Sequence, residues 1–388
     1  MRFPEFGGVW KEEQLDCVAT LSKGIGISKE QLSEDGEPCI LYGELYTKYK
    51  TEIIKQVESK TDIDDSKLKR SKANDVIIPC SGETAVDIAT ARCVPFDNIL
   101  LGGDLNIISL HKYDGAFMSY QLNGKRKYDI ARVAQGVSVV HLYGEHLKAI
   151  KTYNPSLPEQ QKIAELLSLI DERIATQNKI IEDLKKLKSA IIDYAINSLD
   201  IDTVKFGSLY KTAGEGGTPS TSNGDFYNNG QIPFIKIDDL KQKYLTENKD
   251  FITELGLQKS SAWLVPTNSI LFSNGATIGE ISITTYPVCT KQGILGIVPK
   301  SHIDVDYLYY FMSSAYFRKE VCRIVTEGTM KTVYLKDINN IPCPIPTKET
   351  QQEIAKMPSL LNSRVELEQN ILDMLNDQKR YLLSRIFI

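Results

Sequence analysis

The 388-residue sequence predicts an α/β (α+β) protein in which two similar mixed α/β domains alternate with two long antiparallel coiled-coil helices. Three observations predict this fold: a long heptad pattern in the middle of the chain, a second copy of that pattern near its end, and short apolar runs bounded by turn residues elsewhere. The predicted divisions are a first domain at 1–155, a central helix at 156–200, a second domain at 201–346 and a final helix at 347–388.

The central heptad pattern runs from Pro158 to Ile196. Its apolar seam recurs every three or four residues, at Ile163, Leu167, Ile170, Ile174, Ile181, Leu184, Ile191 and Ala195, with polar breaks at Gln177 and Lys188. Its Glu and Lys residues make it too polar to span a membrane. One amphipathic helix cannot bury its own apolar stripe, so it requires a partner.

The partner is predicted in the same chain, because Glu349 to Phe387 repeats the pattern. From Gln160 to Gln351 the offset is 191 residues, and the same offset places Gln177 on Glu368. The two helix starts, PSLPEQQKIA and PTKETQQEIA, match as well as the heptads, which favours a true internal repeat over a chance likeness between coiled-coil helices.

The polar breaks predict a register for two antiparallel helices, with Gln177 facing Lys379 and Lys188 facing Glu368. The apolar partners in this register are Ile174 with Leu382, Ile181 with Leu375, Leu184 with Leu372, Ile191 with Val365 and Ala195 with Leu361. The alternative is that Lys188 and Lys379 extend outward to solvent and determine no register. Proline costs about 3 kcal/mol inside a helix, so the second helix is expected to start or kink near Pro358.

Both domains show short strand patterns. The predicted strands are 76–78, 99–101, 107–108 and 137–142 in the first domain and 270–272, 281–283 and 294–298 in the second. The predicted helices are 51–58, 114–122 and 306–325. A weak echo aligns 73–77 with 267–271, each followed by a glycine turn at Ser81-Gly82 or Asn274-Gly275. Phe117 to Leu122 also aligns with Tyr307 to Met312.

Composition limits the class of protein. A formal net charge of −4 argues mildly against a chain that coats nucleic acid non-specifically. The seven cysteines form no CxxC, and no secretory leader or membrane-spanning apolar run is visible. These features predict reduced thiols, no membrane association and a cytoplasmic location.

Catalytic and cofactor motifs are missing from the sequence: it has no GxGxxG after a strand, no P-loop and no HExxH. Asp238-Asp239 beside Lys236 and Lys241 could suggest a metal-dependent nuclease, although a turn after a strand is favoured. His141 and His146 are interpreted as a strand-end and loop pair rather than metal ligands. Asn154-Pro155 is not followed by the Pro-aromatic pair of adenine methyltransferases.

The whole chain resembles the specificity subunit of Type I restriction–modification enzymes. The resemblance rests on FPEFGGVW and ISKEQLSEDGEPCILYGELYTKY in the first domain, on GGTPSTSNGDFYNNGQIPFI, FSNGATIGEISIT and GTMKTVYLKDINNIPCPIP in the second, and on the two helix starts. It implies two target-recognition domains that each read half of a bipartite double-stranded DNA target. It also implies spacer helices that set the half-site distance and dock two methyltransferase subunits, with restriction/translocase subunits joining through them.

The resemblance further implies that this chain is non-catalytic and binds no cofactor. S-adenosylmethionine, ATP and Mg²⁺ are expected in the partner subunits. A leftover apolar stripe beside the helix seam, Leu166, Leu169, Ile180 and Leu187, is the candidate docking face for the methyltransferase subunit.

Candidate DNA-binding residues are donors for phosphates and planar or amide groups for base edges. In the first domain they are Lys29, Tyr42, Tyr46, Lys48, Lys125, Arg126, Lys127, Arg132 and Gln135. In the second they are Thr218, Ser220, Thr221, Lys236, Ser273, Asn274, Thr277, Lys291, Gln292, Lys331 and Thr332. Two other functions stay open at this point: an enzyme that cuts or methylates DNA by itself, and a coiled-coil protein whose domains bind proteins.

Overall fold

The computed structural model describes residues 2–63, 67–136, 139–325 and 331–387. The chain divides into two compact units, the first formed by Met1–Lys179 with Asn370–Ile388 and the second by Ile180–Gln369. Each long helix contributes one segment to each unit. Residues 326–330, which belong to one of the motifs above, lie outside the described residues.

The first half of the chain contains short strands and helices before the central helix. The strands are β1 Lys11–Gln14, β2 Ala19–Lys23, β3 Glu37–Ile40, β4 Lys60–Thr61, β5 Asp75–Pro79, β6 Ser81–Gly82, β7 Arg92–Val94, β8 Leu100–Leu101, β9 Leu105–Leu110, β10 Val140–His141 and β11 Lys151–Asn154. The helices are α1 Leu15–Val18, α2 Glu44–Thr47, α3 Ala85–Ile88, α4 Gly115–Asn123, α5 Lys127–Val133, α6 Gly144–Lys148 and the central helix α7 Leu157–Asn197.

The main sheet of the first unit is antiparallel, in the order β2-β9-β5-β7. A second sheet, β4-β3-β8, pairs β3 with β4 antiparallel and with β8 parallel. The apolar side chains of β5 and β9 are buried, and Met118 and Leu122 of α4 pack against them. Burial of these side chains stabilises the domain by about 1.5–3 kcal/mol each.

The second half of the chain follows the same plan. Its strands are β12 Thr203–Lys205, β13 Tyr210–Glu215, β14 Ile232–Ile235, β15 Tyr244–Leu245, β16 Asp250–Ile252, β17 Ile270–Ser273, β18 Ile281–Thr284, β19 Cys289–Thr290, β20 Ile294–Pro299 and β21 Pro342–Pro344. Its helices are α8 Glu254–Gln258, α9 Val305–Ser313, α10 Ala315–Ile324, α11 Leu335–Ile338 and the final helix α12 Lys348–Ile386.

The two domains have the same strand order. The main sheet of the second unit, β13-β20-β17-β18-β15, reproduces β2-β9-β5-β7 with one additional strand. The sheet β16-β14-β19 reproduces β4-β3-β8, including its one antiparallel and one parallel pair. The strand pair β12–β21 before the final helix corresponds to β1–β11 before the central helix. The predicted internal repeat of the fold is confirmed.

The start of each long helix is tied to the preceding domain by a glutamine. Gln160 accepts a 2.9 Å hydrogen bond from the backbone of Asp114, whose carboxylate caps α4, and donates to the Pro155 carbonyl. In the second unit Gln351 makes the same bonds with Asp304, the cap of α9, and with the carbonyl before its own helix. The matching glutamines of the two helix starts therefore have matching structural roles.

Some local predictions are corrected. The stretch 51–58 is not helical: its Ile54 amide bonds to the Cys93 carbonyl as an extended edge, which suits its β-branched residues. Of 137–142, residues 139–142 are described and only Val140–His141 forms a strand. The predicted helix at 306–325 is two helices, because Ser314 ends α9 and caps α10. The final helix begins at Lys348 rather than at Pro358, which lies inside it.

The helix segments within each unit run antiparallel, but the predicted register is wrong. In the first unit Lys379 pairs with Asp171 at 2.6 Å, six positions before the predicted partner Gln177. In the second unit Lys188 donates to the side-chain amide oxygen of Asn362 at 2.9 Å, six positions before the predicted Glu368. Glu368 pairs instead with Arg364 on its own helix.

Within the described residues, no helix is both long and apolar enough to cross a membrane.

Candidate nucleic-acid interface

The loops of the second unit gather where β13 and β17 end and β20 begins, here called the second strand-end edge. The antiparallel register places Glu215 and Ser273, the last residues of β13 and β17, beside the first residues of β20. Three backbone hydrogen bonds hold the loops together: Gly216 to Ile294, Asn274 to Gly293, and Val333 to Asn274, at 2.8–3.0 Å.

Several residues proposed from sequence to bind DNA come together at this edge. The hydroxyl of Thr218 accepts from the Gln292 amide at 3.3 Å, and Thr332 pairs with Gly275 as an isolated bridge. The Lys291 amide donates to the Ile235 carbonyl, which brings Lys236 to the same place. The full group at the edge is Thr218, Lys236, Thr277, Lys291, Gln292, Lys331 and Thr332. Lys236 is held by Asp250 at 2.8 Å.

Ser220 and Thr221 extend from the edge in the loop after β13. Both are exposed, and the Ser220 hydroxyl lies 2.9 Å from that of Ser222. Their donors therefore face solvent, as a phosphate or base contact requires.

Two predicted DNA contacts of the second domain are corrected, because Ser273 and Asn274 are buried. The Ser273 hydroxyl donates to the Thr277 carbonyl at 2.5 Å and accepts from the Glu280 amide at 2.8 Å. The Asn274 side-chain amide donates to the Val333 carbonyl at 3.1 Å. The hydrogen bonds of these buried side chains stabilise the loop conformation. Other, exposed groups of the loop are therefore the ones available to a ligand.

The first unit has an equivalent edge, here called the first strand-end edge, where β2 and β5 end and β9 begins. The same three backbone hydrogen bonds occur there: Gly24 to Leu105, Cys80 to Asp104, and Leu142 to Cys80, at 2.7–2.9 Å. Burial raises the pKa of the Cys80 thiol to about 11, so the thiol is neutral at this edge. Both units therefore present loops from one frame with different side chains.

Tyr42, Tyr46 and Gln135 lie near the first edge. The Tyr46 hydroxyl donates to the Ser81 carbonyl at 3.0 Å, and burial raises its pKa. Both tyrosines line a cavity with Ser81. Gln135 exchanges backbone hydrogen bonds with His141, the residue paired with Ser81. Exposed Lys29 lies in the long loop that leaves this edge after β2.

The basic cluster of the first domain, Lys125, Arg126, Lys127 and Arg132, contacts other parts of the domain. The Arg126 guanidinium lies over the Tyr153 ring of β11, 5.2 Å from its centroid. Arg126 and Arg132 both pair with Asp129 at 3.4 Å. Lys127 has its pKa lowered by burial and by nearby Arg92, while Lys125 is exposed.

Lys48 is likewise engaged within the first domain. Its ammonium lies 2.8 Å from the Glu44 carboxylate and 2.5 Å from the Ser59 hydroxyl. The burial of Arg126 against Tyr153 and the pairing of Lys48 make these two side chains structural contacts of the domain.

Sequence reasoning missed the residues that complete the first edge. They are Lys23 and Asp104, whose charges lie 3.9 Å apart, together with Ser81, His141 and Tyr143. One signal could have found them: each of the two aligned segments is followed by a glycine turn, Ser81-Gly82 or Asn274-Gly275, and these turns lie at the two edges.

Asp238 and Asp239 do not form a metal centre in the part of the chain that the structure describes, where no group of three or more His, Cys, Asp or Glu is placed to hold a metal ion. The Asp239 carboxylate accepts from the Lys236 amide at 2.8 Å and closes the turn after β14. This is the turn that the sequence favoured.

Comparison with known proteins identifies the family. The family model described as "Type I restriction modification DNA specificity domain" matches the chain twice, over residues 9–186 and 199–377. The chain belongs to this family. Each matched segment contains one globular domain and most of one long helix, so the family's domain is the repeating unit found above.

Members of the Type I specificity family align with parts of the chain at modest identity. The EcoR124I/EcoR124II specificity subunit of Escherichia coli is 26% identical over 252 residues, 60% of this chain and 61% of the relative. The MjaIX specificity subunit of Methanocaldococcus jannaschii is 29% identical, covering 43% of this chain and 39% of the relative. The MjaVIII subunit of the same organism is 22% identical and covers 80% and 77%. The first relatives are thus matched over less than two thirds of their length.

Solved structures show the same fold. The S subunit of a Type I restriction-modification system from M. genitalium superposes with a TM-score of 0.62 at 18% identity, covering 100% of this chain and 99% of that one. A chain from a study of Type I complex assembly and conformational transition gives a TM-score of 0.61 at 15% identity, covering 98% and 97%.

Proposed function

We propose that this chain is the non-catalytic DNA-specificity subunit of a Type I restriction–modification complex. The observation that carries the proposal is the repeated strand-end edge: one backbone frame occurs in both units and presents different side chains in each. Two related DNA-binding domains with different loops are suited to a bipartite target with two different half-sites. Base edges in the major groove carry the pattern that such loops would distinguish.

The second edge supplies the groups that a half-site reader needs. Lys291 and Lys331 are exposed cations for phosphates, and Gln292 is an exposed amide suited to an adenine edge. The first edge would use Tyr42, Gln135 and His141 with Lys23. Such different side chains favour different half-site sequences.

The partners of the proposed function are double-stranded DNA and two methyltransferase subunits, through which restriction/translocase subunits join. S-adenosylmethionine, ATP and Mg²⁺ would be bound by those subunits, in the cytoplasm. The candidate docking stripe suits this role because Leu169, Ile180 and Leu187 are exposed along α7 and Leu166 is half-buried beside them. Exposed apolar residues in a row on one helix are suited to a partner interface.

The test of DNA specificity is methylation sequencing. The chain is expressed with its modification subunit in a host without other DNA methylation, and methylated bases are mapped. We expect a motif of two half-sites separated by a fixed spacer. The double variant Lys291→Ala/Lys331→Ala should weaken methylation through the second half-site contact. A continuous motif, methylation that does not require this chain, or methylation by the purified chain alone would contradict the proposal.

The docking stripe is tested by co-purification. Leu169→Glu and Leu187→Glu should abolish recovery of the modification subunit while the chain keeps its unfolding transition. Ala175→Glu is the control, since this exposed side chain lies outside the stripe, about 120° around α7 from Leu169. Equal recovery with all three variants would show that this face is not the docking site.

A further inference from the structure

A basic cleft lies in the second unit between α7 and the globular domain. It encloses about 350 Å³. Its charged lining consists of Lys185 and Lys188 of α7, Lys241 after β14, Arg318 of α10, and one carboxylate, Glu280. Four cations against one carboxylate make this cleft strongly positive in a chain whose formal net charge is −4.

Specific contacts build the cleft. The Asp193 carboxylate of α7 accepts from the first amide of α10, that of Ala315, at 2.7 Å. Arg318 donates to the Ser313 carbonyl at 2.7 Å, and Lys188 donates to the Asn362 side chain at 2.9 Å. These bonds hold the basic side chains in place from two elements, so the cleft is formed before any ligand arrives.

The first unit carries a cavity at the equivalent position on α12, with different charges. At the 191-residue offset, Asn376 stands in place of Lys185, and Lys379 in place of Lys188. The cavity is also lined by three carboxylates, Glu52, Asp373 and Asp377, and by Arg380.

The positive charges of the equivalent lysines, Lys379 and Lys188, have different partners. Lys379 pairs with Asp171 and Glu52, at 2.6 and 2.7 Å. The repeat position of Asp171 is held by Asn362, a neutral amide, so Lys188 receives a hydrogen bond partner without a formal charge. Glu366 bonds to the other side of the Asn362 amide at 2.7 Å.

In the described part of the chain, the positive charges of the cleft lysines are not neutralised by ion pairs with carboxylates. Among the described residues, no ion pair includes Lys185, Lys188 or Lys241. Burial, and then the neighbouring Lys185, lower the pKa of Lys188. A bound anion would favour the protonated form of Lys188 and relieve this repulsion.

The position of the cleft indicates which anion it binds. Gly279 and Glu280, at the far end of the loop that carries Thr277, line the cleft. Lys241 follows the turn that begins at Lys236. The cleft is therefore bordered by two segments, the loop between β17 and β18 and the turn after β14, that also carry residues of the second strand-end edge. A duplex whose bases lie against that edge would place its adjoining backbone at the cleft.

We propose that the basic cleft binds a backbone phosphate of the DNA beside the half-site read by the second domain, and that the first domain lacks this contact. The proposal rests on the proposed function and adds a contact that supplies affinity without sequence information. Lysine contacts to phosphate act in this way because they release condensed counterions from the duplex.

The test uses the full chain in complex with its modification subunit and a duplex that carries the mapped target. Binding is measured over a range of salt concentrations for wild type and for Lys185→Gln/Lys241→Gln. The magnitude of the slope of log K against log salt should fall by about one, with equal loss of affinity for a duplex with scrambled half-sites. Lys211→Gln/Lys300→Gln is the matched control, because these lysines lie at the opposite ends of β13 and β20 from the loops.

The outcomes separate the two proposals. If wild type prefers the target but the cleft variant has the salt slope of the control, the phosphate contact is wrong and the proposed function stands. If wild type does not prefer the target, the proposed function fails. Inorganic pyrophosphate is titrated as a separate probe: binding that is lost in the cleft variant, together with an unchanged DNA salt slope, would overturn DNA as the source of the phosphate.

Discussion

The ammonium group of Lys379 lies 2.6 Å from a carboxylate oxygen of Asp171. At the offset of the internal repeat, the same two positions are Lys188 and Asn362, and they are also in contact, at 2.9 Å. The contact geometry is thus repeated in both units while one carboxylate has become an amide. Glu52 also pairs with Lys379, and Tyr120 donates to Asp171 at 2.6 Å.

Replacing the two equivalent lysines should have opposite consequences for stability. Lys379→Met removes the cation between Glu52 and Asp171, leaving two buried carboxylates with the Arg92 guanidinium as a nearby cation. We expect a loss of about 3–5 kcal/mol in the free energy of unfolding. Lys188→Met removes a cation that burial and Lys185 disfavour, so stability should change by less than about 1 kcal/mol or rise. Chemical denaturation of both variants measures this, and equal losses would contradict the charge argument.

The pH dependence of these effects should also differ. Burial lowers the pKa of Lys379, but Glu52 and Asp171 outweigh it and raise the pKa overall. Its stabilisation is therefore fully present below the ordinary lysine pKa of about 10.4 and is lost only as pH rises through the higher folded pKa. Lys188 has a lowered pKa, so wild-type stability should rise with pH between that pKa and about 10.4. Unfolding from about pH 7 to pH 10 should show a constant defect for Lys379→Met and a shrinking difference for Lys188→Met.

The glutamines at the helix starts should contribute similarly in both halves. Gln160→Ala and Gln351→Ala each leave a partly buried backbone amide, that of Asp114 or Asp304, without its side-chain acceptor. Each should cost about 1–3 kcal/mol in unfolding free energy. Gln161→Ala and Gln352→Ala are controls, since both side chains are exposed. If the controls lose as much stability as the buried pair, the role of these glutamines in joining each helix start to its domain is wrong.

Substitutions at Ser273 and Thr277 should distinguish a residue that stabilises the loop from one that contacts DNA. Ser273→Ala removes two hydrogen bonds inside the loop and should cost about 1–3 kcal/mol in unfolding free energy. Thr277→Ala changes an exposed side chain, so it should alter stability by less than about 0.5 kcal/mol while weakening use of the second half-site. Thermal unfolding and methylation sequencing measure the two effects. An unfolding temperature lowered equally by both changes would contradict the assignment.

Some features could be predicted because each depends on residues that are close together in the sequence. The positions of both long helices follow from heptads, and the repeat of the whole fold follows from the glutamines at each helix start and from the asparagines before β5 and β17. Asn74 and Asn268 both adopt a positive φ, which asparagine tolerates better than most residues. The candidate residues Thr218, Lys291 and Thr332 could be selected from their chemistry, although only the strand order brings them to one edge.

The amino-acid sequence by itself determined the fold class, the two-domain repeat and the presence of two paired helices, because hydrophobic period and repeated motifs are local properties. Only the tertiary structure decided which lysine meets which carboxylate, which basic residues are free for a ligand and which are structural. Glu52, the second partner of Lys379, lies on a loop of the globular domain and has no place in a heptad pattern. A helix register depends on every group that packs against the helix, so complementarity between two seams was insufficient to define it.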